Sequence, residues 1–343
     1  MANIFPAQAK VTPSFSEPDL IVTYAQPSGF PALLENNAPR VKLSTDDLWV
    51  YVNRLDIRTD ATASQFGPSW IPSASLTAEF HQTQTYKIKV RVAYDDDMMA
   101  AASRYNVSLP HAQELAMRQG INNQLRNMCI YGYNAANNEG LLNTQGATTT
   151  NLPADVYGNT TVQTYDPNSM YQFMLSQIEL LVARMYQSNG GKMGNRIVIL
   201  SPQQEFLRFQ LSQIVQVTSY QRPGGGTDSV AGAIQKVAAD AGYRLEWWYD
   251  DTLIGKGAGG NDLVIMTVPE VKIPDIEFGV NTNIFGEMSP ATKATNVMYM
   301  DAAAPIKMST PIPDGGITET LSLRATSGWC WRPEGITIVS MPY

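Results

Sequence analysis

The chain has 343 residues, enough for about two domains and for a sizeable core that needs no disulfide support. Its charged fraction is 16%, against about 25% for ordinary globular proteins, while 44% hydrophobic residues exclude an intrinsically disordered chain. A formal net charge of −7 argues against a surface that binds nucleic acid throughout. Cys129 and Cys330 are the two cysteines, too few for a disulfide framework, and they read as buried thiols of a reducing compartment. The opening Met1–Pro6 has neither a basic nor an apolar region, so no secretory leader is expected. The longest apolar runs, 48–52 and 98–102, are far short of a bilayer span. The expected product is soluble and intracellular. The shortage of charge has two readings: an unusual monomer, or a chain that hides surface against copies of itself, since interface cores lose Lys, Glu and Asp.

Residues 1–45 hold six prolines, Pro6, Pro13, Pro18, Pro27, Pro31 and Pro39, which leave no room for a long helix. Isolated apolar residues such as Phe5, Phe15 and Phe30 punctuate the stretch. It reads as an extended arm that orders on a partner. From 46 to 95 the pattern changes to strands. Leu48–Val52 is rich in β-formers, and residues 84–92 alternate, with Tyr86, Ile88, Val90 and Val92 on one face and Thr85, Lys87, Lys89 and Arg91 on the other. Between them, residues 59–83 contain no Lys or Arg and predict a long hairpin with an irregular tip.

Asp95 is placed to cap a short helix through 98–102. Ser108 and Pro110 then open a helix running to about Tyr131, with Met117, Ile121, Leu125 and Met128 as its apolar stripe. Next comes an α/β unit. Met170, Met174, Ile178, Leu181 and Met185 mark a second long helix, followed by a buried strand at 196–200. Ser201 and Gln204 fit a capping box, Asp228 opens a further helix stopped by Gly242, and strands follow at 243–249 and 263–268. The last sixty residues return to strands at 297–300, 318–325, 329–331 and 336–341.

Chemical signals are sparse. His81 and His111 lie in different elements, so no zinc site is expected. Gly255–Gly260 satisfies G-x-G-x-x-G, but it precedes a strand where a dinucleotide loop must precede a helix, and it reads as a turn. Gly224-Gly225-Gly226 lacks the Lys and Ser/Thr of a phosphate loop. Asp95-Asp96-Asp97 lacks the calcium-loop pattern and reads as helix capping. No catalytic residue, cofactor or metal is assigned.

The order of arm, hairpin, long helix, inserted α/β unit and closing strands resembles the major capsid protein of tailed bacteriophages. Two local motifs carry the likeness: Tyr131-Gly132 followed by Gly140-Leu141-Leu142-Asn143, and Gly328-Trp329-Cys330-Trp331-Arg332-Pro333-Glu334-Gly335-Ile336. The resemblance implies an α+β Hong Kong ninety-seven-type capsid fold. In that scheme residues 1–45 are the N-terminal arm and 46–95 the extended hairpin loop. Residues 96–165 and 285–343 form the peripheral domain with its spine helix, and 166–284 the inserted axial domain. It further implies hexamers and pentamers building an icosahedral head around double-stranded DNA, enclosed without sequence-specific binding. Scaffolding, portal and decoration proteins are the implied partners, with no membrane. Inter-subunit contacts are then expected at Phe5, Phe15 and Phe30 of the arm, at Phe66, Trp70 and Ile71 of the hairpin tip, and at Gly224, Gly225 and Gly226. Some relatives weld hairpin lysines to neighbouring asparagines; the tip here has no lysine, so a non-covalent shell is expected. The alternatives are an encapsulin-like compartment with the same fold and, in another class, an intracellular α/β enzyme.

Overall fold

The alternation that ends at Tyr94 builds a twenty-residue strand, and the larger of the two main sheets forms around it. Met298–Tyr299 with Trp329–Cys330, and Gln213–Ile214 with Asp228–Ser229, are separate two-stranded pairs. A computed structural model describes residues 28–34, 36–58, 75–103, 108–188, 196–214, 228–271, 296–312 and 315–343. The first sheet contains β1 (Arg40–Leu43), β2 (Trp49–Arg58) and β3 (Ser75–Tyr94). After β3 come α1 (Asp96–Ser103), α2 (Leu109–Ile130) and β4 (Thr148–Asn151). The α/β unit supplies α3 (Pro167–Ser188), β5 (Arg196–Ser201), α4 (Gln203–Leu211), β6 (Gln213–Ile214) and β7 (Asp228–Ser229). It continues with α5 (Val230–Asp240), β8 (Arg244–Tyr249) and β9 (Asp262–Thr267). The closing strands are β10 (Met298–Tyr299), β11 (Asp301–Ala303), β12 (Ile306–Pro311), β13 (Ile317–Thr326), β14 (Trp329–Cys330) and β15 (Ile336–Met341).

The larger sheet runs β1-β11-β13-β3-β2, with β12 also on β13. The spine helix α2 crosses β3 and β13. Its predicted stripe, Met117, Ile121, Leu125 and Met128, is buried in one core with Ile88, Leu321 and Leu323. The five-stranded sheet runs β4-β15-β9-β5-β8, and the predicted stripe of α3 is buried throughout. Strands β5, β9 and β15 are almost wholly buried, as expected of strands covered on both faces.

Several expectations are corrected. Strand β15 does not close the first sheet. It lies between β4 and β9 in the second, so the expected division at residue 285 does not hold for 336–341. The arm assignment also fails for residues 28–43. Phe30 is 1% exposed within its own chain, packed in the core with Leu33 and Leu34, and β1 pairs in parallel with β11. Phe30 is therefore spent on the subunit's own fold: Gly29 donates to Tyr249 O at 2.8 Å and so anchors the turn that inserts it. The capping box at Ser201 and Gln204 is absent, because Pro202 is the N-cap of α4. Ser201 Oγ accepts from Trp247 instead, and Gln204 donates to Asp262. Ser229, and not Asp228, caps α5; Asp228 pairs with Lys236. Asp95 does cap α1, accepting from Met98 N at 2.8 Å. Phe5, Phe15, Phe66, Trp70, Ile71, Gly224, Gly225 and Gly226 lie outside the described residues.

Candidate assembly surfaces

The end of the spine helix is tightly constrained by close backbone contacts. Gly132 and Gly140 have positive φ of 72° and 87°, and their backbones touch. A Cβ on Gly132 would sit 2.1 Å from Glu139 O, and one on Gly140 2.3 Å from Gly132 N. Gly328 completes the contact: Gly140 donates to Gly328 O at 2.6 Å, and Gly328 donates to Met128 O at 3.0 Å. The amide of Asn143 donates to the carbonyls of Tyr131 and Glu139, at 2.6 and 2.7 Å. The two motifs quoted from the sequence thus meet in space. Glycine is required because no side chain fits between three backbones.

This junction also holds the hairpin. Buried Glu139 accepts from the Tyr86 hydroxyl of β3 at 2.9 Å and from Asn134 N at 3.0 Å. Burial, with the Glu139 charge beside it, pushes the Tyr86 phenol well above its usual range. Tyr131 donates to Thr252 O at 2.8 Å, tying the same point to the α/β unit. The base of the hairpin is therefore fixed to the spine helix. On the far side of the sheet Arg40 makes two bonds to buried Asp301, at 2.7 and 2.8 Å, and lies 4.3 Å from the centre of the Tyr299 ring.

Several apolar groups face outward. Leu48, Trp49 and Tyr51 lead into the hairpin, and Ile306 and Met308 stand on β12. Val156 and Tyr157 are 77% and 78% exposed at the tip of a loop folded around Asp155. The Asp155 carboxylate accepts from Tyr157 N, Asn159 N and Asp166 N at 2.8, 2.7 and 2.9 Å. Burial alone would raise its pKa, but these bonds and that of the Asn159 side chain hold it below the usual carboxylate range. The two apolar side chains are presented by a prefolded turn.

Among the described residues no three His, Cys, Asp or Glu side chains come together as metal ligands. Burial pushes the Cys129 and Cys330 thiols up to about 12, which keeps them protonated and unreactive. The glycines at 255–260 form a turn closed by Gly257 N to Asn261 O at 2.6 Å, and the chain passes from it directly into β9. Glu205 of α4 is fully buried, and neither carboxylate oxygen has a partner. Burial, then the neighbouring Asp262 charge, raises its pKa to about 8. Sequence reasoning missed Glu205, since a Glu in the first turn of a helix looks like an ordinary dipole complement. Among the described residues no helix is long and apolar enough to cross a membrane.

This architecture is the Hong Kong ninety-seven-type fold of phage capsid proteins. A chain from the capsid of Myoviridae phage XM1 is similar with a TM-score of 0.64 at 12% identity, covering 96% of each chain. One from the capsid of cyanophage P-SCSP1u gives 0.56 at 11% identity, over 97% of this chain and 93% of that one. One from the capsid of an empty GTA particle gives 0.55 at 8% identity, over 97% and 96%. No protein-family model and no curated protein sequence matches the chain.

Proposed function

We propose that the chain is a major capsid protein, assembling as hexamers and pentamers into the icosahedral head of a tailed phage around double-stranded DNA. The observation that carries this reading is end-to-end similarity to capsid subunits, over 96% of each chain for phage XM1, with no large unmatched insertion left for another activity. The composition supports it: 16% charged residues suit a subunit whose surface is largely covered by copies of itself. The net charge of −7 suits a wall that encloses DNA without gripping it. The subunit is not an enzyme in this reading. Phe5 and Phe15 of the arm, Phe66, Trp70 and Ile71 of the hairpin tip, and Gly224–Gly226 of the α/β unit then meet neighbouring subunits. Scaffolding, portal and decoration proteins are the further partners. The α/β unit, with β15 added, acts as the axial domain; the spine helix and larger sheet act as the peripheral domain.

Sedimentation velocity and electron microscopy on the assembled protein, with nuclease protection of its contents, test this. Closed megadalton shells holding protected DNA are expected. Shells filled with a protein cargo and no DNA would reassign the chain to an encapsulin-like compartment, and a discrete small oligomer would refute a shell altogether.

A further inference from the structure

The hairpin made by β2 and the first half of β3 has a flank with no strand beside it. Strand β13 pairs with β3 from Tyr94 back to Thr85 and no further, while β2 pairs from Gln84 to Ser75 on the other edge. Past Thr326 the chain turns at Ser327 and Gly328 into β14, and aromatic side chains take the place of the ladder. His81 of the hairpin packs on Trp329 and Trp331, with ring centres 6.0 and 5.4 Å apart, and the two indoles lie 5.5 Å from each other. Trp329 in turn stacks on Tyr299 at 4.8 Å and 21°, and Arg40 lies over the Tyr299 ring. The result is a row from β1 to the hairpin, Arg40, Tyr299, Trp329 and His81, with Trp331 touching its last two members.

The row has a permanent cation at one end and a titratable ring at the other. Aromatic faces are negative and attract a cation within about 6 Å, whereas a neutral imidazole gains only ordinary contact there. Trp329 is 3% exposed, which keeps water from the inner side of the contact. His81 is exposed and exchanges protons with solvent, and no ion pair among the described residues holds it. Histidine is the side chain type whose charge changes between about pH 5 and 8.

The other charges around the ring are few. Arg40 is neutralised by Asp301. Arg324 donates to Thr85 Oγ1 and to Asp47 O, and Arg332 follows Trp331 in the chain. On the hairpin itself Glu79 stands opposite Arg54 in the register. The Cys330 thiol is kept protonated by burial. None of the charged residues is of a type that changes charge between about pH 5 and 8.

We infer that His81 is a proton-operated latch: in mildly acidic solution its imidazolium is drawn onto Trp329 and Trp331 and fastens the base of the hairpin, and deprotonation slackens it. This is a property of the single subunit and does not depend on the shell reading. The sign follows from linkage, because the form that holds the row more strongly is the protonated one, so the fastened state gains as pH falls. The attraction at a partly exposed site corresponds to about two- to fivefold in the opening equilibrium of the hairpin. On the other face the bonds from Tyr86 to Glu139 keep the base attached in both states, so the latch sets how freely the hairpin moves.

Hydrogen exchange of the dispersed full-length chain tests the latch, with protection corrected for the intrinsic effect of pH and referred to the β13 amides of the same chain. From about pH 8 to about pH 5, protection in residues 49–58 and 75–84 should rise about two- to fivefold relative to β13. Tryptophan fluorescence should fall in parallel, as the imidazolium quenches the indoles. His81→Gln should abolish both changes. His81→Arg, a permanent cation, should keep the hairpin fastened at every pH and so remove the pH dependence without loss of protection. No response in the unaltered chain, or the same response in His81→Gln, overturns the latch. If His81→Gln fails to fold by circular dichroism, His81→Arg decides: a hairpin as loose as that of the unaltered chain at about pH 8 overturns it.

Discussion

Glu205→Gln should stabilise the subunit, and the gain should depend on pH. In the folded chain the carboxyl titrates at about 8, against a usual value of 4.5, because burial and the Asp262 charge disfavour its ionised form. The sign follows from proton linkage. Below pH 4.5 both states hold the proton and the group has no effect. Between 4.5 and 8 the unfolded chain ionises while the folded chain does not, so stability falls by about 1.4 kcal/mol per pH step. At pH 7 the accumulated cost is about 3.4 kcal/mol, and above pH 8 it no longer grows. Glutamine cannot ionise, so it removes this cost. It leaves a buried amide where both carboxyl oxygens already lack partners, which returns about 1 kcal/mol of it. The net gain near neutrality is therefore about 2 kcal/mol, or about 3 °C in Tm for a chain of this length. Thermal melts of dispersed subunits from pH 4.5 to 9 provide the assay. The two curves should coincide near pH 4.5 within the amide's cost, diverge up to pH 8, and then run parallel. Parallel curves throughout would show that Glu205 is ionised in the folded chain, and the reasoning would fail.

Other expectations follow from the junction and the sheets. Gly328→Ala places a methyl 2.5 Å from Cys129 O and should cost at least about 3 kcal/mol in denaturant unfolding, since backbone must move. Arg40→Ala strands buried Asp301 without its cation and should cost about 3 kcal/mol, most of it recovered in the Arg40→Ala, Asp301→Ala double variant. Met174→Ala opens a void beneath α3, where the side chain is 0% exposed, at a cost of about 2–5 kcal/mol. Mature particles boiled in SDS should release single chains on a gel, because residues 59–86 supply no lysine side chain before Lys87 for cross-linking; a ladder of multimers would contradict this.

The helices were legible because their apolar residues recur at three and four positions and nothing else competes for those faces. Met117 to Met128 and Met170 to Met185 are buried as their spacing requires. Ile336–Met341 was legible as a strand but not as a neighbour of β9. A run buried on both faces reports that it is central and carries no address for its partner. Phe30 was misassigned for a similar reason. An aromatic between Pro27 and Pro31 looks the same whether it enters its own core or another subunit's, and only the bond from Gly29 to Tyr249 decides. The glycine junction was visible as two separate motifs; that Gly132, Gly140 and Gly328 touch is a long-range fact with no local signature. Glu205 left no trace in the pattern, since its burial comes from how α4 lies on the sheet.

The position of β15 has a consequence for synthesis. Strand β9 is buried along its whole length, and one of its two neighbours is a segment made about seventy residues later. While the ribosome works from β9 to residue 341, at 5–20 residues per second, roughly 4–15 s pass in which the α/β unit has its helices but lacks the strand that lies between β4 and β9. During that interval the flank of β9 is sticky and unfinished. A chain interrupted there carries an incomplete sheet, so only polypeptides translated through residue 341 complete the second sheet.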